Sequence, residues 1–219
     1  MIPNVTVGYP HMNDVHAGFA FCMAEACLRP NNRIIGLVAA SSPRQEISRN
    51  LIIEMFLEGP GEWLMWIDTD MTFGNEAIAR LQDVAERQKA DMVAGLGFIY
   101  KRGTNEIVPN AYFWDDEEKA HVEFKDYKPD KVYRVDAAGS GFVLVNRRVF
   151  EAWGDKFWHK TWTKHPANGR EMGHDLAFSY RATQELGFKL LWDTTVKTGH
   201  IKYFELREEQ FEAYKRMTA

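Results

Sequence analysis

The sequence predicts an α/β fold with a mostly parallel central sheet and helices on both faces. Two patterns in the first hundred residues point to it. Nearly unbroken apolar runs of strand length, RIIGLVAA at 33–40 and WLMWI at 63–67, alternate with segments of helical periodicity. Strands buried on both faces read in that way. The segments follow the order β-α-β-α-β-α-β, and a strand that returns parallel to its neighbour needs such a crossover helix. Length bounds the answer: 219 residues with 45% hydrophobic side chains suit a single domain over 1–219 with a full core.

Residues 4–8 form a short β-rich run that Tyr9-Pro10 ends. Asp14 is placed to cap a helix over 15–28, whose apolar residues recur at helical spacing. Strand 33–40 is expected to be covered on both faces. Ser41-Ser42-Pro43 opens a second helix reaching about residue 57, and Gly59-Pro60-Gly61 stops it. Strand 63–67 ends abruptly in Asp68-Thr69-Asp70. A third helix over about 75–89 leads to strand 91–97.

Beyond residue 100 the rhythm changes. Residues 101–109 read as a polar loop, and 112–114 and 121–124 as a hairpin with an acidic tip at 115–118. Strands at 132–136 and 141–145 flank Gly139-Ser140-Gly141. Residues 147–170 read as irregular, 173–186 as a helix, 188–192 as a strand and 206–217 as a closing amphipathic helix. The expected division is a nucleotide-binding half over 1–100 and an acceptor and catalytic half over 101–219.

Composition narrows the function. A net charge of −4 argues against bulk binding of nucleic acid or anionic membrane. No apolar run approaches the roughly 18 residues of a membrane span, so membrane insertion is not expected. No secretory signal is visible at the N-terminus. Cys22 and Cys27 fall on different faces of the first helix, so they are expected as reduced core thiols of a cytoplasmic protein. Seven Trp are expected to serve mostly as core.

The strongest local signal is Asp68-Thr69-Asp70 at the end of an apolar strand. Ligands of open α/β sheets collect at the carboxyl ends of strands. Two acids there repel each other, and Mg²⁺ or Mn²⁺ on a substrate's phosphates removes that cost. Asp68-Thr69-Asp70-Met71-Thr72 also satisfies DxDxT, the pattern of haloacid-dehalogenase-like phosphatases with Asp68 as nucleophile. Such enzymes carry it on the first strand and need a later GDxxxD site. Gly173-His174-Asp175 lacks that spacing and the second acid, so the phosphatase is the alternative reading.

From about Val5 to Ile201 the chain resembles the GT-A-fold glycosyltransferases, close to the family-2-like inverting group and its small soluble phage and bacterial members. The residues that carry the resemblance are Tyr9-Pro10, Ser48-Arg49-Asn50, Asp68-Thr69-Asp70, Gly139-Ser140-Gly141-Phe142, the run from Gly173 to Phe178, and Gly199-His200. The resemblance implies a Rossmann-like sheet, a divalent metal and a nucleotide-sugar donor carrying UDP or GDP. Tyr9 and Pro10 would border the nucleobase, and Arg49 would approach the nucleotide. Asp70 would bind the metal, with Asp68 near it toward the ribose or donor sugar and His200 as a further ligand. The imidazole tilts the choice toward Mn²⁺. Gly141 would approach the donor sugar closely, and Asp136 is a secondary candidate.

The resemblance also implies a catalytic base in an acidic pair at a helix start. Asp175 stands at the second position, and His174 replaces the usual first acid. The helix dipole favours the charged form of such a base. Residues 147–170 hold six Lys or Arg against Glu151 and Asp155, and Trp158 or Trp162 there would stack on an acceptor. The acceptor would be a protein, a sugar or a hydroxylated nucleobase. A non-catalytic carbohydrate-binding domain is the non-enzymatic alternative.

Overall fold

The computed structural model describes residues 4–12, 14–101, 104, 106–153 and 172–203. The first half runs β1 (Val5–His11), α1 (Ala17–Cys27), β2 (Ile34–Ser41), α2 (Gln45–Glu58), β3 (Trp63–Ile67), β4 (Met71–Thr72), α3 (Ala77–Gln88) and β5 (Met92–Leu96). The second half begins with β6 (Phe98–Lys101), β7 (Glu106–Pro109), β8 (Ala111–Asp115) and β9 (Ala120–Glu123). It continues through β10 (Val132–Arg134), β11 (Ala137–Ala138), β12 (Phe142–Asn146), α4 (Arg147–Glu151), α5 (His174–Tyr180), β13 (Leu190–Lys197) and β14 (Gly199–His200).

The central sheet has seven strands in the order β10-β13-β5-β12-β3-β1-β2. β2, β1 and β3 are parallel, as are β5 and β13. β12 inserts antiparallel between β3 and β5. The α/β class and the helix-covered sheet are as expected; besides β10, antiparallel on β13 at the edge, the β12 insertion is what the βα rhythm did not carry. It matters for function. Because β12 runs against β3, pairing Phe142 with Ile67, its leading turn is delivered to the carboxyl end of β3. β14 pairs antiparallel with β4, His200 opposite Met71, so the end of β13 returns to the same place.

The core has two layers. On one face α1 and α3 bury Phe19, Met23 and Leu81 against Val5, Val7 and Met65. On the other, α2, α4 and α5 bury Ile52, Phe56, Phe150 and Phe178 against Leu64 and Trp66. Phe150 and Phe178 meet the Trp66 ring edge-on at 5.5 and 5.1 Å, an arrangement aromatic quadrupoles favour. Arg147 is spent on the fold: its guanidinium donates to Leu57 O and Phe56 O in the last turn of α2 and to Gly61 O just beyond it, and lies over the Phe56 ring. Arg148 pairs with Asp91. These two cations of the basic segment therefore serve packing.

Several expectations are corrected. β2 is an edge strand with α2 against one face and the other open, leaving Ile35 46% and Leu37 50% exposed. His16, not Asp14, caps α1, its side chain accepting from Gly18 N. Residues 106–109 form β7, which pairs with β6, where a loop was expected. Residues 147–151 are helical. α5 gives way to a π-turn at Arg181–Glu185. Both cysteines are free thiols, but Cys27 is exposed rather than core. The expected helix at 206–217 lies outside the described residues. No helix among them is long and apolar enough to cross a membrane.

Candidate functional site

Asp68, Asp70, Gly139, Gly141, Asp175 and His200 line one cleft of about 480 Å³ at the carboxyl end of β3. The apolar strand carries Asp68 and Asp70 out of the core. α2 supplies Arg49, β12 the glycine turn, α5 Asp175, and β14 His200.

Asp68 is held from the side of α2. Arg49 Nη2 donates to Asp68 Oδ1 at 2.5 Å, and Arg49 Nη1 to Ser140 O at 3.4 Å. The guanidinium lies 5.3 Å from the centre of the Trp66 ring and is 1% exposed. Arg49 is thus neither a solvated helix residue nor an open phosphate site; its charge is already answered by Asp68. Gly141 O accepts from Asp68 N at 2.9 Å. A Cβ on Gly141 would stand 3.2 Å from Asp68 Oδ2, so the turn and the carboxylate meet at a distance that favours glycine.

Asp70 has different company. Its Oδ2 accepts from Lys202 Nζ at 2.7 Å and faces His200 Nε2 at 3.1 Å. Burial pushes the Asp70 carboxyl up, but the His200 and Lys202 hydrogen bonds outweigh it and hold the group at about 2. His200 Nδ1 lies 3.0 Å from Phe98 O. A carbonyl only accepts, so Nδ1 carries a proton and Nε2 is the nitrogen turned to Asp70. The Asp70 hydrogen bond raises His200 above its ordinary 6.5, against burial.

Asp175 lies on the other side of the glycine turn. A Cβ on Gly139 would stand 3.8 Å from Asp175 Oδ2, and one on Gly173 only 2.9 Å from Asp175 Oδ1. Gly173 therefore makes room for the carboxylate. Asp175 Oδ1 accepts from Leu176 N at 2.9 Å, leaving Oδ2 uncommitted to the helix start. His174 is lowered below its ordinary value by burial and then by the nearby Arg49 charge, with Asp175 and Asp68 opposing. Asn110 supports this wall from beneath. Its side chain binds Gly97 N, Gly95 O and Trp192 Nε1, and its backbone O accepts from Gly139 N at 2.8 Å.

The donor set suits a divalent ion through two protein ligands. Asp70 Oδ2 and His200 Nε2 are 3.1 Å apart, and neighbouring ligands on an octahedral ion with bonds near 2.1 Å stand about 3 Å apart. The Nδ1–H on a backbone carbonyl orients the imidazole as metal-binding histidines require. Asp68 does not stand with Asp70 and His200 as a three-ligand cluster, and its Oδ1 is engaged by Arg49. Among the described residues no three His, Cys, Asp or Glu gather at ligand spacing. Phosphate oxygens and water would complete the shell, as is usual for Mg²⁺-type ions.

Pro10 lines the cleft with His11 and Met12, but Tyr9 does not. Its ring packs on Phe19 of α1 at 5.4 Å and stands 6.4 Å from the His11 ring, on the inner side of that residue. Asp136 also lies elsewhere, accepting from Trp114 N and Gln184 Nε2. Trp158 and Trp162 lie outside the described residues. Lys202 and Asn110 were missed. A lysine after an apolar residue near the C-terminus carries no local signal, and neither does a lone asparagine behind a proline.

This sheet, with its carboxylate turn, its antiparallel β12 and its returning histidine, is a GT-A glycosyltransferase-like fold. Among solved structures, A197 from STIV superposes with a TM-score of 0.62 at 15% identity, over 91% of this chain and 86% of that one. GalNAc-T7, crystallised with UDP, GalNAc and Mn²⁺, superposes with a TM-score of 0.62 at 16% identity, over 93% of this chain and 45% of that one. The sequence matches no family model and no curated protein.

Proposed function

We propose that the protein is a metal-dependent glycosyltransferase that moves a sugar from a UDP- or GDP-sugar to an acceptor hydroxyl with inversion. The observation that carries this reading is the pairing of Asp70 with His200 in the same cleft as Asp175. The likeness to a structure holding UDP, GalNAc and Mn²⁺ supports it through the fold.

Asp70 and His200 would hold Mn²⁺ or Mg²⁺. A bound ion supplies counter-charge to the leaving diphosphate. Asp68, fixed by Arg49, presents Oδ2 beside Gly141 toward the donor's ribose or sugar. Pro10, His11 and Met12 form the wall for the nucleobase. Asp175 accepts the acceptor's proton through a carboxylate oxygen that the helix does not use. Attack from that side, opposite the leaving diphosphate, inverts the anomeric carbon. The acceptor is a protein, a sugar or a hydroxylated nucleobase, and the proposed setting is the cytoplasm.

The test is a panel of UDP- and GDP-sugars with Mn²⁺, read by release of the nucleoside diphosphate. One donor class should be hydrolysed slowly, and EDTA should stop it. Asp175→Asn should then lower transfer by roughly 10²–10⁴-fold with donor affinity intact. Release from no donor, or retention of anomeric configuration in the product, contradicts the proposal.

A further inference from the structure

Lys202 places an ammonium where the cleft wants a cation. Nζ lies 2.7 Å from Asp70 Oδ2, the oxygen that His200 Nε2 also faces. The backbone beside it is fixed, because Ile201 N donates to Asp70 O at 2.8 Å. The side chain has freedom: it is 38% exposed, and a lysine carries its charge on a flexible four-carbon stem. Lys202 thus combines a tethered root with a movable charge.

An ammonium and a divalent ion that share Asp70 Oδ2 are held there against each other's charge. The two positive charges would stand within about 4 Å, where repulsion is large even at an effective dielectric of about 20. Lys202 therefore competes with a metal for Asp70. A nucleoside diphosphate shifts that balance, since it brings negative charge into the cleft that Lys202 lines. Arg49 is no substitute partner for the phosphates, because it is buried and already paired with Asp68.

We infer that Lys202 is an exchangeable cation, paired with Asp70 before metal and donor bind and passed to the donor's diphosphate when they do. The inference rests on the reading of this cleft as a metal and nucleotide site. It makes Lys202 a positioning residue that couples the two ligands. Each should tighten the other within the range usual for linked sites, about 5- to 150-fold.

Calorimetry of the full chain tests this, first with Mn²⁺ alone and then with UDP or GDP in saturating Mn²⁺. Lys202→Met should tighten Mn²⁺ alone by roughly three- to tenfold, the scale of a half-exposed ion pair. It should weaken UDP or GDP by a similar factor. Lys202→Arg keeps the charge and should keep Mn²⁺ affinity near that of the unmodified protein. Lys202→Gln repeats the measurement if the methionine variant melts early. Unchanged or weaker Mn²⁺ binding in both neutral variants overturns the inference and leaves the metal site standing. An unmodified protein that binds Mn²⁺ neither alone nor with nucleotide overturns both.

Discussion

Asp68 and Asp70 are two residues apart and sit in opposite conditions. Asp68 is matched to a buried arginine from α2, the helix that precedes its own strand. Asp70 is matched to His200 and Lys202, about 130 residues later, at an open rim. The first end of the cleft is locked by the core; the second is assembled late from partly exposed partners. A site that must take up and release a charged ligand needs both. A fixed reference point orients the ligand, and replaceable contacts let it come and go.

If that contrast is right, Asp68→Ala should have the largest effect on stability. It strands the Arg49 guanidinium, 1% exposed, and removing one partner of a buried pair costs about 3–5 kcal/mol. Arg49→Met should cost less, about 1–2 kcal/mol, because Asp68 keeps solvent contact and methionine refills the space. Urea unfolding of both variants checks the order; equal losses would mean that Arg49 is not the buried member that matters.

The open end predicts a pH effect instead. His200 is raised above 6.5 by Asp70, and a metal must displace that proton. Mn²⁺ affinity should therefore climb as pH rises through and beyond 6.5, by up to about tenfold per unit, and flatten once the imidazole is neutral. Calorimetry across pH 5.5–8.5 reads this; a flat profile removes His200 from the ligand set. The smallest stability effect belongs to Asp70→Ala, under about 1 kcal/mol because the pairs are half exposed. A larger loss would make Asp70 a member of the locked end. Asp68 held by Arg49 is also a poor nucleophile, so p-nitrophenyl phosphate should not turn over. Steady turnover lost in Asp68→Asn would restore the phosphatase reading.

The two ends also differ in how far the sequence revealed them. WLMWI followed by Asp68-Thr69-Asp70 is contiguous, so hydrophobic pattern and charge marked strand and site together. Gly139-Ser140-Gly141 was legible as a turn, but its place beside Asp68 depends on β12 running antiparallel to β3. Strand direction between distant segments leaves no local trace. Tyr9 was assigned to the cleft beside Pro10, yet its ring is taken up by Phe19 of α1, a contact between segments that leaves no local trace. The apolar run at 33–40 looked doubly covered, although only its position at the sheet edge decides which face a helix reaches. Lys202 was invisible because its meaning comes wholly from Asp70.

The central claim is that Asp70 forms a metal-dependent diphosphate site. Calorimetry of UDP and GDP binding, with Mn²⁺ and with EDTA, tests it on the unmodified protein and on Asp70→Ala. At least one nucleotide should bind the unmodified protein far more tightly with Mn²⁺, and that gain should vanish in Asp70→Ala. Equal affinity with and without metal, or a gain that survives the substitution, would contradict it.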